Sequence, residues 1–179
     1  AATLARIAHD LRADASGPLG SGAAELRAAM GLPGGMALHA QETVDRQFLM
    51  HTVQVRLTAT LPGPPAHGAA TIAQRGWLRR TDVAATLDTR ADARFARHLA
   101  ALLACPAWRA ALMELDLTYC AIEARGTRWT LRVVPFGGSE VVNRMPSFRR
   151  YIRVTDAQRH ALAATFGGFA VLLAQCAGD

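Results

Sequence analysis

The chain opens with Leu4, Ile7, Ala8 and Leu11 at helical spacing, which predicts a helix over residues 1–15 that lies on the core through one stripe. Ser16 to Gly22 holds three glycines and Pro18 and reads as a loop. Ala23 to Met30 is then expected as a short second helix, closed by Gly31 and Pro33. From Phe48 to Leu61 the pattern changes. Leu49, His51, Val53, Val55, Leu57, Ala59 and Leu61 alternate with Thr52, Gln54, Arg56, Thr58 and Thr60, the period of a long strand with one buried face. Met36 to Val44 is expected to pair with it as a hairpin turning at Asp45 and Arg46. Pro62, Gly63, Pro64 and Pro65 predict a break, because proline has no ladder donor and restricts the residue before it.

Ala69–Leu78 and Val83–Asp88 read as two further strands. A helix is expected from Asp88 or Thr89 through Phe95, Leu99 and Leu102 to Cys105, with a kink where Pro106 restarts it towards Leu115. Leu117–Ala124 and Thr127–Val134 form a predicted hairpin around Arg125 and Gly126. Trp129, Leu131 and Val133 face one way in it, and Arg128, Thr130 and Arg132 the other. Ser139–Met145 and Arg149–Val154 follow as strands. Thr155 and Gln158 have capping-box spacing ahead of a last helix carrying Leu162, Phe166, Phe169 and Leu173. The fold class expected is α+β: a mainly antiparallel sheet with two long helices packed on one face, two similar strand-strand-strand-helix halves, and N-terminal helices. The 179 residues fit a single domain, divided into a helical segment (1–35) and two halves (36–115 and 116–179).

Composition narrows the class. With 51% hydrophobic and 19% charged residues the chain is globular, and no apolar run reaches the roughly 18 residues of a membrane span. The first residues read as an amphipathic helix and not as a secretion signal, although the absence of an initial Met leaves open what precedes Ala1. Cys105, Cys120 and Cys176 are odd in number and unpaired in spacing, which predicts reduced thiols and a cytoplasmic setting without membrane partners.

All 20 basic side chains are arginines, against 14 acids, and the net charge is +6. That charge has two readings: an anionic partner gripped by guanidinium forks, or the codon usage of a GC-rich bacterial genome displayed on a solvated surface. The densest basic stretch is Arg144–Arg153, with Phe148 and Tyr151 interleaved, a composition suited to phosphates and unpaired bases. A second candidate is the polar sheet face, where Gln54, Arg56 and Thr58 are expected near Arg128, Thr130 and Arg132. The candidate anion-binding residues are therefore Arg128, Arg132, Arg144, Arg149, Arg150 and Arg153.

The six histidines show no ligand spacing, and Cys120 and Glu123 fall on opposite strand faces, so no metal, cofactor or catalytic residue is expected. Gly31–Gly35 matches no nucleotide fingerprint, and the absence of lysine excludes phosphate-loop and Schiff-base chemistry. Gly167 and Gly168 are expected either to let the last helix approach the sheet or to break it.

Residues Phe136 to Tyr151, with Gly137, Gly138, Asn143, Pro146 and Arg150 among them, resemble part of a small proteobacterial family of unknown function, and the resemblance extends to the Thr3–Leu11 helix. It implies a bacterial cytosolic protein and no particular chemistry. The expectation is a non-enzymatic binding or interaction domain for an anionic partner such as nucleic acid or a phosphate ligand. The alternative is a small-molecule binder or enzyme with a pocket between the sheet and the C-terminal helix, lined by Tyr119, Trp129, His51 and Arg132. A homodimer through sheet edges or helices is a third possibility.

Overall fold

The computed structural model describes residues 2–17, 22–27, 29–32, 35–76 and 82–176. Its elements are α1 (Ala2–Asp10), β1 (Asp14–Ser16), β2 (Ala23–Arg27), a single 3-10 turn (Ala29–Gly31), β3 (Leu38–Arg46), β4 (Met50–Arg75), β5 (Asp82–Leu87), α2 (Ala93–Ala104), α3 (Pro106–Glu114), β6 (Leu117–Pro135), β7 (Glu140–Arg144), β8 (Ser147–Tyr151) and α4 (Asp156–Cys176). The α+β class holds. The sheet is antiparallel in every pairing.

At the N-terminus the expectation needs correction. The first helix stops at Asp10, short of Ala15, because Arg12 adopts a positive φ of 51°. Leu4, Ile7 and Ala8 are nevertheless its buried stripe, and Leu11 is buried just beyond its end. The expected second helix is strand β2: Ala24 and Leu26 alternate into the core, and Ala24 pairs with Ala40 and Leu26 with Leu38 on β3. A run of alanine and leucine suits either period, and the available partner strand decides.

β4 organises the sheet. Its first arm pairs with β3 on one edge, from His39 opposite Thr58 to Arg46 opposite His51, so that hairpin turns at Gln47–Leu49, later than expected. On the other edge it pairs with β7 over Met50–Val53 and with β6 from Leu57 onwards, and its last residues pair with β5. Extended backbone continues through the prolines. The ladder with β6 lapses only between Pro62 and Ala66, where the donors are missing. The strand expected from Ala69 is therefore the second arm of β4, described as far as Arg75; Trp77 and Leu78 lie outside the described residues.

β6 cannot be straight, since nineteen extended residues would span roughly 60 Å. Yet the Phe136 amide donates to the Asp116 carbonyl at 2.7 Å. The segment doubles back, and Gly126, with φ 62°, sits where the sequence places the turn. Leu57–Pro62 of β4 pairs with one arm and Ala66–Thr71 with the other, so β4 arches over the tip of this inner hairpin.

The helices cover one face. Asp92 caps α2 by accepting from the Phe95 amide, which starts that helix later than Asp88, and Cys105 separates two helices where a kink is expected. The capping box forms, with Thr155 and Gln158 bonded reciprocally at 3.1 and 3.2 Å. α4 stays unbroken at Gly167 and Gly168. The close approach at Gly168 is to another helix and not to the sheet: a Cβ there would lie 2.9 Å from Trp108 Cδ1 on α3. Trp108, Phe95, Trp129, Leu162, Phe166 and Phe169 belong to one contiguous core shared by both halves of the chain. The final strand ends at Tyr151, leaving Ile152 and Val154 to lead into α4.

Candidate anion-binding site

With helices on one face, the opposite face of the β4–β6 assembly remains open. Alternation places Arg56, Thr58 and Thr60 there from β4, and Arg128, Thr130 and Arg132 from β6. Register brings them together: Thr58 is opposite Arg132, Thr60 opposite Thr130 and Pro62 opposite Arg128. The hydroxyls of Thr60 and Thr130 lie 3.3 Å apart. Because β6 doubles back, Glu123 from its first arm reaches the same place. Thr58, Thr60, Glu123, Arg125, Arg128, Thr130 and Arg132 enclose a cleft of about 290 Å³.

Three guanidinium groups here face one carboxylate. Glu123 accepts from Arg125 at 2.5 Å and from Arg132 at 2.9 Å. Partial burial pushes its pKa up, but the hydrogen bonds from Arg132 and Arg125 outweigh this and hold it below the ordinary carboxylate value. The Arg128 side chain is exposed and has no ion pair or hydrogen bond among the described residues. Further along the face, Arg56 lies 6.0 Å from the Tyr119 ring centroid, at the limit of a cation–π contact, and its buried Nε has no hydrogen-bond partner among the described residues. The arrangement offers cationic and hydroxyl donors, the groups that bind phosphates, and an exposed ring on which a planar group can stack.

The Arg144–Arg153 run does not join this cleft. Arg149 donates to Glu140 at 2.6 Å, and Arg6 and Thr3 of α1 donate to the same carboxylate at 3.0 and 3.1 Å. Glu140 is fully buried; the hydrogen bond from Arg149 depresses its pKa, and it raises that of Arg149 in return. Asp10, buried at the end of α1, accepts from Tyr151 Oη at 2.9 Å, the Val154 amide at 3.0 Å and Arg153 Nε at 3.4 Å. Burial, together with the hydrogen bond to Asp10, pushes the Tyr151 phenol well above its ordinary value. Two buried carboxylates thus fasten α1 to the second half of the chain: Glu140, which Arg149 shares with Arg6 and Thr3, and Asp10, which Arg153 shares with Tyr151 and Val154. Arg150 lies opposite Val141, on the reverse face from Arg149, and Arg144 lies at the sheet end.

Of the six sequence candidates, then, only Arg128 and Arg132 meet. Arg125 and Glu123 were not expected at the site: a turn arginine and a strand carboxylate carry no signal of convergence. The four residues proposed to line one pocket do not all come together, although Tyr119 and Arg132 share one depression. Trp129 is in the core, Tyr119 and Arg132 are on the open face, and His51 is at the sheet end. A larger groove of about 680 Å³ lies elsewhere, between the β4 arch at Gly63–Pro65 and α2, with Arg94, Arg97, His98 and Cys176 on its walls. Among the described residues no cluster of His, Cys, Asp and Glu could hold a metal ion.

Residues 16–173 match the model of a family described as a protein of unknown function (DUF3156). The chain belongs to this family. No curated protein and no solved structure matches it. The DUF3156 match covers β2 to β8, α2, α3 and nearly all of α4, and leaves out α1 and most of β1.

Proposed function

We propose that this DUF3156 protein is a non-enzymatic binding domain whose open sheet face takes a phosphate-bearing anion, with single-stranded nucleic acid as the first ligand to test. The observation that carries this reading is the charge imbalance of the cleft: Arg125, Arg128 and Arg132 surround Glu123 alone, and Arg56 stands beside Tyr119 with an unbonded Nε. Guanidinium groups left without carboxylates favour an incoming anion, and a ring beside them gives a base a surface to stack on. A bacterial cytoplasm suits the three free cysteines.

The test is fluorescence anisotropy with short single-stranded DNA and RNA, duplex DNA and inorganic phosphate as competitor, at two salt concentrations. Binding that weakens steeply with salt and is lost on Arg128→Ala supports the reading. No binding of any of these at low salt overturns it.

A second reading, a small-molecule binder, is favoured by the groove beside the β4 arch. Its floor of Gly63, Pro64 and Pro65 is apolar, and Arg94 and Arg97 stand one helical turn apart on its wall. An amphiphilic anion would match both. Thermal shift with a fatty acid, set against its methyl ester, would separate this reading from the first.

A further inference from the structure

The β3–β4 and β7–β8 turns lie side by side at one end of the sheet. Met50 pairs with Asn143, and the Arg144 amide donates to the Leu49 carbonyl at 2.9 Å. Their outermost side chains are apolar: Phe48 is 94% exposed, Met145 76%, and Leu49 and Phe148 close to half. One such residue on a surface needs no explanation, but four on two adjoining turns form a patch that contributes nothing to the core. Just behind them Arg46, Arg144 and Arg150 are exposed, with no ion pair among the described residues. Residues 44–51 and 141–150 hold four arginines, of which Arg149 is paired with Glu140, so three remain against one acid, Asp45. A depression of about 510 Å³ behind the turns is lined by Arg46, Arg144, His51, Val44 and Met50.

We propose that these paired turns dock the protein on an anionic lipid surface. Phe48, Leu49 and Met145 enter the boundary between headgroups and acyl chains, and Arg46, Arg144 and Arg150 meet the lipid phosphates. The charge decides the occupant. A second copy of this chain would set unpaired arginines against unpaired arginines, whereas a bilayer offers phosphates at the depth of the arginines and hydrocarbon beyond them. The surface lies at the sheet end, apart from the cleft lined by Arg125, Arg128 and Arg132, and this inference does not rest on the function proposed for that cleft.

The test is co-sedimentation of the full chain with vesicles of phosphatidylcholine alone and of phosphatidylcholine mixed with phosphatidylglycerol. The expected result is pelleting with the anionic vesicles only, weakened by salt. Phe48→Ser combined with Met145→Ser should lower partitioning by roughly tenfold or more, with an unchanged melting curve because both side chains are exposed. Emission from a Phe48→Trp variant should shift to the blue on anionic vesicles alone. Arg128→Ala should leave vesicle binding intact, so the two sites fail separately. A chain that stays in the supernatant, equal pelleting with both vesicle types, undiminished binding by the double serine variant, or a dimer that this variant dissociates would each overturn the proposal.

Discussion

Trp129 Nε1 donates to the Pro64 carbonyl across 2.8 Å, and this bond joins the inner hairpin to the arch that encloses it. The two residues are 65 positions apart in sequence. Gly63 makes the approach possible, because a Cβ there would lie 2.6 Å from Trp129 Cδ1. The indole also stacks on Phe95, with ring centroids 5.3 Å apart, so one side chain ties α2, β4 and β6 together. Trp129→Phe removes the donor and leaves a buried carbonyl unpaired, at a cost of about 1–3 kcal/mol. Gly63→Ala must displace the ring and should cost a comparable amount, about 1–3 kcal/mol. Urea denaturation of both variants measures this, and a midpoint like that of the wild type in both would refute the assignment.

A pH effect should come from Glu140. Its folded pKa lies below the ordinary carboxylate value because Arg149 hydrogen-bonds the ionised form. The stability it contributes is therefore complete above its unfolded pKa and is lost as pH falls through that value towards the folded one. Thermal melts between neutral pH and pH 3 should show a decline that Glu140→Gln makes shallower. The same variant should be less stable than wild type at neutral pH, since Arg6 and Arg149 lose the charge they share. An unaltered acid slope would mean that another carboxylate dominates.

Much of this fold was legible in the sequence because its strands alternate cleanly. On β4 the buried positions are odd before the arch (Val55, Leu57, Ala59) and even after it (Ala66, Ala70, Ile72). On β6 they are even before Gly126 (Cys120, Ile122, Ala124) and odd after it (Trp129, Leu131, Val133). Such a change of parity marks a turn or an irregular ladder, and on β6 it falls at Arg125 and Gly126, where the sequence places the hairpin turn. β2 has a helical pattern in the sequence because Ala24 and Leu26 are too few to fix a period without β3 beside them. The site was harder to read. Arg149 and Arg153 look like a basic patch in the one-dimensional run, but their partners Glu140 and Asp10 become buried only when α1 docks, up to 143 residues away in sequence.

Thiol reactivity offers an independent check on the core. Cys120 is buried, and burial pushes its pKa up to about 12, so almost no thiolate is present at neutral pH. Cys105 and Cys176 are partly exposed. A disulfide reagent should therefore modify two thiols in the native protein and the third only on unfolding. Rapid modification of all three in buffer would show that the sheet opens readily around Cys120.

The open-face cleft makes a prediction of opposite sign for two neighbouring residues. Glu123 is an internal anion that occupies Arg125 and Arg132, so an incoming phosphate has to compete with it. Glu123→Gln removes that competitor and should tighten anion binding several-fold, whereas Arg128→Ala should weaken it and lower the salt dependence by about one counterion. Both side chains are at least partly exposed, so neither change should shift the melting temperature much. Anisotropy titrations of the two variants against one oligonucleotide compare them directly. If Glu123→Gln weakens binding as Arg128→Ala does, Glu123 orients the arginines for the ligand, and the cleft works by positioning instead of by charge imbalance.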